Sequence, residues 1–151
     1  MQRTLAASIT LAFFLFAPLF ASAQEAEVRE TIDNLLKLLG THDAEPLADY
    51  FTNDAVLIVA RHREGKWVNS VETAKRWLER MKSNAGAPQF EERISNVKVT
   101  IDSGELAYVR ADFELVRDRE VMTYGVDVFT LLRIGAKWKI AAISYTNLPK
   151  Q

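Results

Sequence analysis

The spacing of the hydrophobic residues changes part-way along the chain, and this change limits the folds that the chain can adopt. Between residues 25 and 39 the apolar side chains recur every three or four positions, the spacing of one helix face. Between residues 97 and 101 they recur at every second position, the spacing of one strand face. A helical half therefore precedes a strand half. We predict an α+β fold with three N-terminal helices packed on a curved mixed or antiparallel sheet.

Capping residues divide the first half into three predicted helices. Gly40 is placed to end the helix at 25–39, because glycine commonly stops helices at this position. Asp43 is placed to cap a second, short helix, and Ser70 to cap a third helix that continues to Met81.

Turn residues mark the predicted strands. A turn at 52–54 precedes a short buried strand at 55–60, and a charged hairpin loop at 61–68 runs into a brief strand at 66–68. The remaining strands are predicted at 97–101, 106–117, 121–133 and 137–147.

The first 23 residues have the pattern of an export signal. Arg3 gives a short positive start, Leu5 to Phe20 are mostly apolar, and Ala21-Ser22-Ala23 matches a signal-peptidase site. The alternative is a membrane anchor, but the apolar stretch is shorter than the roughly 20 residues that a span requires. We therefore predict a signal peptide at 1–23, a single mature domain at 24–151, and a periplasmic or secreted location without membrane attachment.

Composition excludes several classes of function. Lys plus Arg is 19 and Asp plus Glu is 20, so the chain lacks the basic excess typical of nucleic-acid binding. It contains no cysteine, which excludes disulfides, thiol catalysis and cysteine-based metal centres. Two histidines do not form a metal-ligand pattern with the carboxylates. We predict no metal, no cofactor and no nucleic-acid partner.

Several short segments resemble the nuclear transport factor 2-like, or SnoaL-like, superfamily. The similar segments are Gly40–Asp43, Leu47–Phe51, Asn53–Val56, Asp127–Phe129 and Trp138–Ile140. This resemblance covers nearly all of residues 25–148 and implies a cone whose mouth opens into a largely apolar pocket. The superfamily includes isomerases, cyclases, dehydratases and non-catalytic binding or assembly modules, so the fold does not select the function.

The residues differ from those of the ketosteroid isomerase branch of this superfamily. In that branch a tyrosine, a basic aspartate and a protonated aspartate form the site. Aligned on Asp43 and Asp54, the tyrosine position falls on Leu35 and the base position on Val59. Only Asp127 has a counterpart. The chain therefore resembles a steroid isomerase in its fold but lacks the aspartate that acts as the base there.

Asp127 lies in an apolar strand, and the register of its hairpin decides its role. With a two-residue loop at 118–119, Arg110 lies opposite Asp127 and a structural ion pair results. With a three-residue loop at 118–120, Ala111 lies opposite. The resemblance favours the second register, with one set of residues facing the cavity and another facing outward. The cavity set is Val109, Ala111, Phe113, Asp127 and Phe129, and the outward set is Tyr108, Arg110, Asp112 and Glu114.

Other side chains are candidates for the pocket. The ligand-binding candidates are Asp127, Phe129, Phe113, Tyr50, Trp77 and Tyr145, and the catalytic candidates are Asp127, His62 and Tyr145. We expect His42 to be a solvated loop residue. The basic residues near the third helix, which include Arg61 and Arg80, are diluted by glutamates and are predicted to form a solvated face.

These residues favour an exported domain that binds a small, mostly apolar molecule, with Asp127 as the polar anchor. An acid–base enzyme that uses Asp127 with Tyr50, Tyr145 or His62 is the first alternative. It requires two polar groups near one substrate atom. An assembly module, whose cavity would be filled by side chains, is the second.

Two strands are apolar on both faces, and this pattern predicts a homodimer. In 121–132 and in 138–145, apolar side chains occupy both odd-numbered and even-numbered positions, so each strand has apolar residues on both faces. Helices cover only one face of a sheet, so a second copy is expected to cover the other face. The alternative is a monomer with an exposed apolar patch.

Overall fold

The computed structural model describes residues 17–84 and 86–150 and contains three helices and six strands. The helices are α1 (Ala17–Leu39), α2 (Ala44–Ala48) and α3 (Ala74–Ser83). The strands are β1 (Phe51–Arg63), β2 (Lys66–Thr73), β3 (Glu91–Asp102), β4 (Leu106–Arg117), β5 (Glu120–Ile134) and β6 (Lys137–Pro149). The α+β order predicted from the change in hydrophobic spacing is confirmed.

Most of the predicted signal peptide lies outside the described residues, since these begin at residue 17. Helix α1 runs through the predicted cleavage point after Ala23, and export remains a prediction. Among the described residues, no helix combines the length and apolar character needed to cross a membrane.

The helix caps are partly as predicted. Helix α1 ends before Gly40, and a side chain at Gly40 would overlap the carbonyl oxygen of Phe90, so glycine is also required for this close approach. Asp43 caps α2 by accepting a hydrogen bond from the backbone N–H of Glu45. The cap of α3 is Thr73, which accepts from Arg76 N–H, so the prediction of Ser70 was wrong. Ser70 is instead in β2, because the hairpin extends further than its charged residues indicated.

The six strands form one mixed sheet in the order β2-β1-β6-β5-β4-β3. Strand β1 pairs in parallel with β6, and the other neighbours are antiparallel. The predicted turn at 52–54 was wrong, because these residues lie within β1, where the register with β6 shifts between Phe51 and Val56. The sheet curves around the helices without closing, and the core lies between them. Its most deeply buried large side chains are Val28, Ile32, Leu35, Leu47, Leu57, Val109, Phe129, Leu131 and Ile140.

The β4–β5 hairpin combines features of both predicted registers. Its loop has two residues, since Arg117 pairs with Glu120, and the predicted three-residue loop was wrong. A bulge that leaves Met122 unpaired then shifts the register by one residue. Ala111 therefore pairs with Asp127, as the resemblance implied.

A second bulge corrects our interpretation of β6. Thr130 pairs with Ala142 and Leu131 with Ile140, so Ala141 is the extra residue. The bulge turns both apolar sets of β6 toward the helices, and Trp138, Ile140 and Ile143 are all buried. The apolar residues on both faces of the predicted β6 are thus accounted for by packing within one chain, and β6 requires no second copy to cover them. Strand β5 is different, because its outward residues Met122, Tyr124, Val128 and Leu132 remain exposed.

Candidate functional site

A cavity of about 250 Å³ lies between the helices and the inner face of the sheet. Its apolar lining is Leu35, Leu36, Leu39, Leu57, Trp77, Met81, Phe90, Phe113, Leu115, Phe129 and Ile143. Its polar lining is His42, Arg61, Arg80, Asn84, Glu92, Asp127, Tyr145 and Asn147. The side chains of the helical face therefore leave space inside the cone.

Asp127 is the one buried charged residue among the described residues, with 3% of its surface exposed. Strand β5 holds it between Ala111 on β4 and Tyr145 on β6. No donor among the described residues reaches its buried Oδ2 atom. Arg110 instead forms an ion pair with Asp112 at 2.7 Å on the outer face, so the expected alternative of an Arg110–Asp127 pair is wrong.

Glu92 is the partner of Asp127 inside the cavity. It pairs in register with Leu115 on the inner face of β3, and its carboxyl group lies near enough to that of Asp127 for each group to change the pKa of the other. Burial and the neighbouring negative charge of Glu92 raise the pKa of Asp127 well above its usual range. Burial likewise raises the pKa of Glu92, and the interaction with Asp127 opposes this rise. The two carboxyl groups therefore share protons as one unit.

Sequence reasoning missed Glu92 because β3 begins at Glu91, six residues before the predicted strand. Glu92 and Ile94 continue the alternation of the strand toward its N-terminus. That signal is interrupted by a bulge between Ser95 and Lys98, where Asn96 has a positive φ of 50°.

Tyr145 lies beside the carboxyl pair. Its ring meets that of Phe113 edge to face, with centroids 6.5 Å apart. Burial raises the pKa of Tyr145, and the positive charge of Arg61 lowers it in part. The phenol therefore stays protonated at neutral pH and offers a hydrogen-bond donor near the carboxyl groups.

The basic residues near the third helix are mostly exposed, as predicted, but two of the arginines also line the cavity. Arg61 lines it from β1, and Arg80 lines it from α3. Arg80 binds Glu72 with two hydrogen bonds, of 2.5 and 2.6 Å. The Arg80 side chain remains 54% exposed, whereas Arg61 is half-buried. The charge pattern along the sequence did not show that these residues border the cavity, because this depends on the fold.

Three other predictions concern aromatic and histidine residues. His42 lies in the loop between α1 and α2 as expected, but it is half-buried rather than fully solvated: it lines the cavity, and its Nε2 atom is 3.0 Å from the Pro88 carbonyl oxygen. His62 is absent from the lining and packs edge to face on Trp67, with centroids 5.3 Å apart. Tyr50 also lies elsewhere, in a separate groove beside Trp138. Phe113, Phe129, Trp77 and Tyr145 do line the cavity.

The described residues contain no group of three His, Cys, Asp or Glu side chains that could hold a metal ion. Leu35, at the position of the isomerase tyrosine, contributes an apolar side chain to the cavity. The site is therefore an apolar space with one proton-sharing carboxyl pair and a nearby phenol. Such a pair both donates and accepts hydrogen bonds.

Comparison with known proteins identifies the family. The family model described as "Putative lumazine-binding" matches residues 23–146. The chain belongs to this family. Among curated proteins, none is similar enough to count as a relative.

Several solved structures have the same fold as this chain over most of its length. An NTF2-like protein with a cystatin-like fold from Novosphingobium aromaticivorans is 16% identical, covers 92% of this chain and 91% of its own, and has a TM-score of 0.70. An NTF2-like protein from Cytophaga hutchinsonii is 17% identical, covers 82% and 97%, and has a TM-score of 0.64. A "Putative Scytalone Dehydratase" from N. aromaticivorans is 15% identical, covers 84% and 85%, and has a TM-score of 0.67. At these identities the similarity shows the NTF2-like fold alone.

Proposed function

We propose that this domain binds a small, mostly apolar molecule in the cavity and holds its polar group at the Glu92–Asp127 pair. The observation that carries the proposal is the buried Oδ2 atom of Asp127, which has no hydrogen-bond partner among the described residues and lies at a cavity with a mostly apolar lining. A buried acceptor without a partner costs about 1–3 kcal/mol, and a ligand donor would recover part of this free energy. The open cavity also argues against an assembly module with a filled interior.

The probe that tests this proposal is 2-naphthol, which has an apolar two-ring body and one hydroxyl group. We expect one molecule to bind per chain in isothermal titration calorimetry. Leu115→Trp, which fills the cavity, is expected to abolish binding. Leu132→Trp is the matched control, because Leu132 is exposed on the outer face of the same hairpin. Equal binding by both variants, or no binding by the wild type, would contradict the proposal.

The role of Asp127 is tested separately. Asp127→Leu keeps the branched shape and the number of heavy atoms of the side chain and removes its hydrogen-bonding atoms. We expect the affinity for 2-naphthol to fall about tenfold, the effect of losing a hydrogen bond worth about 1.4 kcal/mol. Unchanged affinity would remove Asp127 from the site.

An acid–base enzyme is the second candidate, and the contact between Glu92 and Asp127 favours it. Two carboxyl groups that share a proton can take a proton from a substrate and return it, with the Tyr145 phenol nearby to polarise a carbonyl group. The test is deuterium exchange at the α-carbon of 2-tetralone, followed by NMR. An enzyme would accelerate exchange, and Glu92→Gln or Asp127→Asn would remove the acceleration. If 2-tetralone binds but exchanges no faster than in buffer, the domain binds ligands without catalysing this reaction.

We also propose an exported homodimer, with the outer faces of two sheets in contact. The apolar leader supports export, and the exposed apolar residues of β5, together with Ile58 and Val71, support the dimer. Native mass spectrometry of residues 24–151, purified from the exported compartment, would report subunit number and any retained molecule together. A monomeric species would contradict the dimer, and an uncleaved chain would contradict export.

A further inference from the structure

Arg61 is a charged cavity residue whose guanidinium group forms no direct ion pair among the described residues. It lies on β1 next to Asn147 of β6 and lines the same cavity as the carboxyl pair. None of the ion pairs found in the described parts of the chain includes Arg61. The residue is half-buried, so its guanidinium group is partly shielded from water.

Arg80, the other arginine of the cavity, has a different environment. Its guanidinium group is engaged on two nitrogens by the Glu72 carboxylate. The positive charge of Arg61 also acts on Glu72, so the single negative charge of Glu72 faces both arginines and leaves an excess of positive charge on the wall. The amide side chains of Asn84 and Asn147 also line this cavity and add neutral donors.

The carboxyl pair offsets the charge of Arg61 only in part. Burial raises the pKa of Asp127 to about 9 and that of Glu92 to about 7, so at neutral pH Asp127 keeps its proton and Glu92 is only partly ionised. The cavity thus combines an unpaired cation, an apolar lining and a carboxyl unit that holds a proton.

We propose that the natural ligand is a small aromatic or alicyclic carboxylic acid, with its carboxylate bound by Arg61 and its apolar body inside the cavity. This inference rests on the proposed binding function and names the ligand class for the same site. The guanidinium group offers parallel N–H donors that match a carboxylate, and a single unpaired arginine suits a monoanion. A cavity of about 250 Å³ is smaller than typical drug-binding pockets and suits a body of one or two rings.

The experiment compares two probes that differ in one charge. The acid is 6-hydroxy-2-naphthoate, and the neutral isostere is 6-hydroxy-2-naphthamide; both are titrated calorimetrically into the full mature domain. We expect the wild type to bind the acid about tenfold more tightly than the amide, as one charge-assisted hydrogen bond allows. Arg61→Gln should remove this preference and leave the affinity for the amide unchanged. The unchanged amide affinity shows that the variant is folded.

Arg63→Gln is the matched control, because Arg63 is exposed on the same strand and lies outside the cavity lining. It makes the same change in net charge and should keep the full preference for the acid. Equal losses in both variants would show general electrostatic attraction and would overturn the role of Arg61. Equal wild-type affinities for acid and amide would overturn the ligand class and leave the binding function intact. If neither probe nor 2-naphthol binds, the binding function fails, and the inference fails with it.

Discussion

At the scale of single residues, the site depends on two carboxyl groups of which the sequence indicates one. Asp127 stands out because a carboxylate in an apolar strand is unusual and requires an explanation. Glu92 lies among charged neighbours, Glu91 and Arg93, and nothing in that local pattern distinguishes it. Only the pairing of β3 with β4 brings it to the cavity.

The carboxyl pair predicts an unusual dependence of stability on pH. Both groups have raised pKa values in the folded state, so above about pH 4 the folded chain holds more protons than the unfolded chain. The free energy of unfolding contributed by the pair should therefore fall as pH rises from about 4 through neutral pH. Asp127→Asn should flatten this dependence. Its free energy of unfolding relative to that of the wild type should therefore rise by at least about 1 kcal/mol as the pH goes from 5 to 8.

Urea unfolding at a series of pH values measures this effect. Asp112→Asn serves as the control, because hydrogen bonding to Asn96 and the nearby Arg110 lower the pKa of Asp112 rather than raise it. That variant should keep the slope of the wild type above pH 5. Parallel curves for Asp127→Asn and wild type would show that the pair is not protonated in the folded state.

At the scale of elements, tight turns and bulges determine which face each side chain occupies. The loop between β4 and β5 places two non-glycine residues, Asp118 and Arg119, at positive φ values of 51° and 68°. A two-residue hairpin loop with this geometry prefers Asn-Gly or Asp-Gly. The sequence has arginine at the second position, and this is why the loop length could not be predicted from it.

Replacing that arginine should stabilise the hairpin. Arg119→Gly removes the steric cost of a left-handed conformation and should raise the free energy of unfolding by about 1 kcal/mol. Arg119→Ala removes the same side chain but retains the Cβ atom, so it should gain little. Thermal unfolding of both variants measures the difference. Equal effects of the two substitutions would mean that the backbone conformation is not the cause.

Gly125 allows β5 to approach β6 closely beside the site. A Cβ atom at Gly125 would overlap the Thr146 carbonyl oxygen and would lie 2.8 Å from Cε1 of Phe113. Gly125→Ala should therefore cost about 1–3 kcal/mol of stability and weaken binding of 2-naphthol, because Phe113 lines the cavity. Gly86→Ala, where nothing lies within 4 Å, should cost little in the same assays.

At the scale of the whole molecule, the outer face of the sheet carries an exposed apolar surface within the described part of the chain. Val128 and Ile58 are 37% and 43% exposed on neighbouring parts of this face. The pattern of β5 predicted this exposure correctly. The pattern of β6 did not, because the bulge at Ala141 turns its second apolar set toward the helices.

The proposed dimer gives a prediction at this scale. Val128→Glu places a charge in the middle of the outer face and should convert the dimer to a monomer that still binds 2-naphthol. Val68→Glu is the control, because Val68 is exposed on the opposite face, across from Arg61. Sedimentation velocity distinguishes the two species. A dimer that tolerates Val128→Glu would place the contact elsewhere.

The sequence by itself determined the order of helices and strands, the cap at Asp43, and the apolar strand around Asp127. These features depend on residues that are near one another in the chain, so spacing and capping patterns report them. The tertiary structure alone decided that Met122 and Ala141 are bulged, that Glu92 meets Asp127, and that Arg61 faces the cavity. Each of these depends on pairing between distant strands, where a shift of one residue reverses every side chain. No local pattern encodes that shift.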